Sequence, residues 1–249
     1  MTYTEFIRNY LQQQEPGVPI YIDEIANSMA ADYKTDKKKA ALATSVAMKR
    51  IMDSSMVSDV RCYQKGIYYR TAMTPFGEMG INREKLIAKK YLLPDKGYVT
   101  GWHLLYQMGL TTQITQELLI GTNKYRRPLM RNGYKVRFLK QDNVITEENV
   151  ELLRLLDAIR LIREIPAVTP DEACKTLMGL IQMLTDERRS EMALLALKYT
   201  NYVRALVGAM FEQIGVAAPM LRGSLNWTSS YEIPVSERAL PTKRNWRIV

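Results

Sequence analysis

The stretch DKKKAALATSVAMKRIMDSSMVSDVRCYQKGIYYR, Asp36 to Arg70, restricts the fold more than any other part of the chain. It reads as a helix, a short strand, a turn and a second strand. At about 100° per residue, Ala40, Leu42, Ala43, Val46, Ala47 and Ile51 fall on one broad apolar arc. The opposite arc carries Lys37, Lys38, Ala41, Thr44, Ser45, Met48 and Lys49. That face is basic, hydroxylated and low in bulk, as a helix in a DNA major groove needs to be. Asp36 is the expected N-cap, and no acidic residue follows it until Asp53. Val57 to Cys62 and Ile67 to Arg70 have strand composition and flank the turn Tyr63-Gln64-Lys65-Gly66. A hairpin directly after a recognition-type helix is the winged form of the helix-turn-helix. Two readings stay open at this point: a DNA-reading helix, or a solvated helix beside a structural hairpin.

The residues before it complete the pattern. Thr4 to Gln14 predicts a first helix with Phe6, Ile7, Tyr10 and Leu11 on one face, ended by Glu15-Pro16-Gly17-Val18-Pro19. Ile20-Tyr21 supplies a short strand, and Asp23 is the expected cap of a second helix, Glu24 to Ala31. The core of such a subdomain would be Phe6, Ile7, Tyr10, Ile22, Ile25, Met29, Val46, Ile51 and Tyr68. The loss of periodicity over Thr71 to Gly77 places a domain boundary at 72/73.

The formal charge of +9 favours a polyanionic partner, and its distribution is uneven. Residues 1–70 hold 10 Lys+Arg against 8 Asp+Glu, 71–140 hold 12 against 4, and 141–200 hold 7 against 11. The basic excess therefore lies beyond the hairpin, while the acidic 141–200 segment argues against DNA contact there. Cys62 and Cys174 form no disulfide framework or metal motif, which points to a reducing compartment, the cytoplasm. No signal peptide is expected at the N-terminus. Met192 to Leu221 is broken by Lys198, Arg204 and Glu212, so buried helices are expected there and not a membrane span.

The remaining chain predicts a small strand-containing part to about 140, a helical part over 144–215 and an irregular tail over 216–249. Asn82 to Tyr91 is a basic helix. Leu104, Leu105 and Met108 make a short stripe before Gly109, a helix stop. Leu118 to Thr122 and Lys135 to Leu139 read as strands, with Gly133 turning into the second. Lys124, Arg126, Arg127 and Arg131 between them suit either phosphate or partner contact, or an ordinary wet hairpin loop. Glu147 to Arg163 is an amphipathic helix ending before Pro166, and Pro170-Asp171-Glu172 opens another. Asp186 to Arg204 and Ala205 to Ile214 are the expected last helices. In the tail, Trp227, Tyr231 and Trp246 are expected to pin the chain onto its own domain in preference to anchoring a partner.

Five motifs in order, the hairpin ending GIYYR, then GYVTGWHLLYQMGLTTQ, the strand ending Gly121-Thr122-Asn123, NGYKVRF and ELLRLLDAIRLIREIP, resemble the AbiEi-like antitoxins of AbiE-type (type IV) toxin–antitoxin operons, a phage-defence system. The resemblance runs from residue 1 to about 166. It implies a winged helix-turn-helix over 1–72 that binds inverted repeats in promoter DNA and represses its own operon. It also implies an α+β antitoxin domain over 73–249 that counters a nucleotidyltransferase-like toxin. By that resemblance Lys38, Thr44, Ser45 and Lys49 face bases and phosphates, joined by Lys37, while Lys65 and Tyr68 belong to the wing. A stand-alone winged-helix regulator is the alternative. A nucleic-acid-processing enzyme is the weaker one, since no phosphate-loop, dinucleotide, metalloprotease or nucleophile-elbow string occurs. No catalytic residue, metal or cofactor is expected, and the single histidine, His103, reads as structural.

Overall fold

The structure is a computed structural model. It describes every residue except Met1, Ser55, Met56, Asn132, Gly133 and Trp227, and only the backbone of Arg131 and Tyr134. The turn expected at Gly133 and the Trp227 anchor lie outside the described residues. The architecture is mixed α+β, with helices interspersed among small sheets, and the chain divides into two compact units, Met1–Lys90 and Tyr91–Val249.

The first unit starts with α1 (Tyr3–Gln12), β1 (Ile20–Tyr21), α2 (Ile22–Asp32) and α3 (Lys37–Asp53). A capping box opens α1: the Thr2 hydroxyl accepts from the Glu5 N–H at 3.2 Å, and the Glu5 carboxylate accepts from the Thr2 N–H at 2.8 Å. Asp36 caps α3 as expected, accepting from the N–H groups of Lys38 and Lys39. Asp23 is not a cap. It lies inside the first turn of α2, whose Glu24 reaches back to the N–H of Tyr21. Strands β2 (Val60–Gln64) and β3 (Ile67–Arg70) form the hairpin, and β1 pairs on the outer side of β3 to give the order β1-β3-β2. The turn needs Gly66, whose φ is +82°.

Phe6, Ile7, Leu11, Ile25, Met29, Met48 and Ile51 are buried together in this unit. Helix α3 is rotated from its expected setting. Its buried stripe is Ala40, Thr44, Ala47, Met48 and Ile51, a regular helical spacing, whereas Leu42 and Val46 are 71% and 52% exposed. Hydropathy alone pulled the expected arc toward Leu42 and Val46; contact with α1 and α2 sets the actual one.

The first unit also keeps the residues after 72. A small hairpin, β4 (Met73–Thr74) and β5 (Gly77–Glu78), precedes α4 (Arg83–Tyr91). The Gly17 N–H donates to the carbonyl of Arg70, and Asn82 donates to the carbonyl of Gly17. Arg61 pairs with Glu78, and Lys89 pairs with Glu24. These ties fasten 73–90 to the loops after α1, so the division falls at 90/91 and not at 72/73. Main-chain hydrogen bonds leave no hydropathy signature, which is why the sequence boundary fell early.

The second unit begins with β6 (Tyr98–Thr100) and α5 (Trp102–Gln107), followed by β7 (Glu117–Thr122), β8 (Leu129–Arg131) and β9 (Tyr134–Lys140). The sheet order is β6-β7-β9-β8, and β7 and β9 run parallel, with Glu117 opposite Lys135 and Thr122 opposite Lys140. The cationic loop is therefore no hairpin between β7 and β9. It crosses to β8, an antiparallel edge strand, before β9 returns between them.

Helix α6 (Val150–Arg160) is central, with every residue from Leu152 to Ile159 except Arg154 buried. A helix apolar nearly all round belongs inside a layer of others. Around it lie α7 (Pro170–Gln182), opened by a Thr169–Glu172 capping box, α8 (Asp186–Ala196), α9 (Asn201–Gln213) and α10 (Pro219–Gly223). The break between α8 and α9 falls at 197–200, earlier than expected, because Tyr199 there turns its hydroxyl into the core.

The tail packs on its own unit. Tyr231 and Ile248 form a parallel bridge, and a 3-10 helix, Pro241–Trp246, lies along α9. The Trp246 ring occupies the space above Gly208, and its Nε1–H donates to Glu212 at 2.6 Å. No helix among the described residues is long and apolar enough to cross a membrane.

Candidate nucleic-acid interface and a buried polar network

The outer face of α3 presents Lys37, Lys38, Ala41, Leu42, Ser45, Val46 and Lys49, all exposed. Ser45 points its hydroxyl back to the carbonyl of Ala41 at 2.9 Å, which leaves its oxygen lone pairs outward. Thr44 is removed from the candidate contact surface: it is fully buried, and its hydroxyl faces the Met29 sulfur at 4.0 Å. The β2–β3 turn presents Lys65 to solvent. Tyr68 is half-buried: it sits on β3 of the hairpin opposite Ile20 and Cys62 and packs against the core, as expected of a core residue in the wing, and burial pushes its phenol pKa up. Leu42 and Val46 are the contact candidates that sequence reasoning missed. The signal was present in the regular 40/44/47/48/51 spacing, which leaves both outside it.

In the second unit Lys124, Arg126 and Arg127 are exposed, and the Arg131 side chain lies outside the described residues. The Arg126 guanidinium lies 5.3 Å over the Tyr91 ring, which meets Phe138 edge-on at 5.0 Å. Glu117 holds two further cations, Lys135 at 2.7 Å and Arg137 at 3.0 Å, and they keep its carboxyl below the usual range. Part of the basic excess is thus consumed inside the sheet, while Lys124 and Arg127 stay outward.

A polar network that no local motif announced lies at the centre of this unit. Asp157 on α6 is 0% exposed. Its carboxylate accepts from the hydroxyls of Tyr98 at 2.9 Å, Thr100 at 2.8 Å and Tyr199 at 3.0 Å, and Arg160 stands 3.8 Å away. Gln141 Nε2 donates to both tyrosine oxygens, at 2.9 and 2.8 Å, and Asn143 holds the Gln141 carbonyl oxygen. Burial pushes the Asp157 pKa up, opposed by Arg160 and the three hydroxyl donors. It pushes both tyrosine pKa values up as well. Gly121 makes room for the arrangement, since a Cβ there would come within 2.5 Å of the Tyr98 ring. The members come from β6, the residues after β9, α6 and the α8–α9 turn, so only the folded chain brings them together.

Among the described residues, no three His, Cys, Asp or Glu side chains gather as a metal cluster would require. Cys174 is buried, and burial pushes its thiol up to about 12, so it is no thiolate nucleophile near neutral pH. Cys62 is exposed on β2, and His103 is half-buried on α5.

No family model matches the chain, and no curated protein does. Among solved structures, the crystal structure of the RV2827C protein from Mycobacterium tuberculosis aligns over 93% of this chain and 84% of its own. The identity is 12% and the TM-score 0.40, a likeness too slight to bear on fold or function.

Proposed function

We propose that this chain is a winged-helix DNA-binding protein that represses its own operon and acts as antitoxin to a nucleotidyltransferase-like toxin. The observation that carries the DNA-binding half is the outer face of α3. Lys38, Ser45 and Lys49 stand uncovered beside Leu42 and Val46, in a unit whose order is helix, strand, helix, helix, hairpin. Lysines at such positions neutralise phosphates, and exposed aliphatic side chains meet thymine methyls in the major groove. Lys65 at the hairpin turn suits a flanking phosphate. The antitoxin half rests on the motif resemblance alone.

Promoter binding by gel shift across a salt series tests the first half. Lys38→Ala with Lys49→Ala is expected to weaken binding on every sequence and to flatten the log–log salt dependence by about 2, because two phosphates are no longer neutralised. Unchanged affinity and slope would remove α3 from the interface. Co-expression with the neighbouring gene, scored by growth, tests the second half, and residues 91–249 alone are expected to retain part of the rescue. Promoter binding without any rescue by the full chain would leave a stand-alone winged-helix regulator.

A further inference from the structure

A pocket of about 130 Å³ opens in the second unit beside the buried network, lined by Lys140, Asp142, Arg160, Lys198, Tyr199 and Thr200. Its volume is well below the roughly 300–1,000 Å³ of pockets that enclose whole drug-sized molecules, and a single tetrahedral oxyanion suits it. The charges around it are unbalanced. Lys140 is paired with Asp142 at 2.9 Å. Lys198 donates only to the main-chain carbonyl of Asp142, at 3.4 Å, and among the described residues no carboxylate lies within ion-pairing distance of it. Arg160 faces Asp157 at 3.8 Å, too far for a hydrogen bond, so its fork is not committed to that carboxylate.

Thr200, in the pocket wall, precedes α9 in an extended conformation, and its hydroxyl does not cap the helix. Opposing charge comes from Asp142 at the rim and Asp157 behind the wall, the latter already surrounded by three hydroxyl donors. We propose that this pocket binds a phosphate group, held by Lys140, Arg160 and Lys198 and carried either by free phosphate or by the end of a small phosphate ester. The proposal does not depend on the DNA-binding reading, since its residues all lie in the second unit.

Calorimetric titration of the full chain with sodium phosphate, against sodium chloride of matched ionic strength, tests it. Saturable binding is expected with phosphate and none with chloride. Lys198→Ala and Lys140→Ala, both at exposed positions, are expected to weaken it about tenfold each, the effect of removing one charge-assisted hydrogen bond, with thermal melts in chloride unchanged. Lys175→Ala, an exposed lysine on α7, is expected to leave it intact. Adenosine 5′-monophosphate separates the two sources: affinity equal to that of phosphate assigns an ester end, and binding of inorganic phosphate alone assigns the free ion. Equal heats with chloride, or an equal loss in Lys175→Ala, would overturn the site. So would promoter DNA competing with phosphate, if Lys198→Ala weakened both equally, because the pocket would then be a contact for the DNA backbone.

Discussion

Asp157→Ala is expected to destabilise the protein by about 3–5 kcal/mol, because buried hydroxyls left without an acceptor cost about 1–3 kcal/mol each. The buried hydroxyls of Tyr98 and Thr100 lose their acceptor at once, while that of Tyr199 keeps only the Leu153 carbonyl at 3.4 Å. At about 2–4 °C per kcal/mol for a chain of this size, the melting temperature should fall by about 6–20 °C. Asp157→Asn keeps the volume and one acceptor oxygen, but turns an N–H toward hydroxyl donors, so its cost should be smaller. The pH dependence carries a sign. Because burial raises the folded-state pKa of Asp157, its protonated form favours the folded chain. That contribution is fully present below the ordinary carboxylate pKa of about 4 and is lost as the pH climbs through the raised value. The stability gap between wild type and Asp157→Asn should therefore narrow as the pH rises, measured by urea unfolding. A melting temperature for Asp157→Ala within a degree of wild type would show that the network contributes nothing to the fold.

Gly208→Ala is the second large effect, and its direction is opposite to the usual one. In a helix interior, alanine is about 1 kcal/mol more favourable than glycine. At position 208, however, the new Cβ would lie 2.1 Å from the Trp246 ring, inside van der Waals contact, so the indole must leave its seat. That seat includes the hydrogen bond to Glu212 and the Arg222 guanidinium 5.0 Å over the ring. Overpacking of this kind costs about 1–3 kcal/mol. Trp246→Ala alone should cost about 3–5 kcal/mol through the cavity it leaves. The double variant should cost less than the two together, since each change removes the reason for the other's penalty, with coupling of about 0.5–3 kcal/mol. Limited proteolysis gives a second reading: Gly208→Ala should expose the tail after α10 to cleavage while residues 91–214 survive. A stabilised Gly208→Ala would mean that the tail does not rest on α9.

Much of the local structure was legible. Asp36 announced the start of α3, Pro170 with two acids announced α7, and Gly109, at φ +69°, marked the end of α5. These are contacts within four residues, where a side chain meets the main chain beside it. The boundary at 72/73 was not legible, because the bonds that tie 73–90 back to Gly17, Glu15 and Glu24 span tens of residues. Nor was the direction of β7 against β9: both strands have the composition of a hairpin pair, and only β8, taking the far edge, makes them parallel.

By itself the sequence determined where helices and strands begin, the mixed α+β class, and the uneven spread of charge, because capping, turn chemistry and composition act over short distances. The tertiary structure alone decided which way α3 faces. The sequence reading put Leu42 and Val46 inside and Thr44 and Met48 outside; packing against its neighbours reversed all four, since a buried stripe must keep helical spacing more strictly than it must exclude a hydroxyl. It alone also assembled the Asp157 network, whose hydroxyl donors lie 42 to 59 residues from Asp157 along the chain. A carboxylate in the middle of a leucine-rich helix is uninterpretable until the hydroxyls that surround it are brought there by the fold.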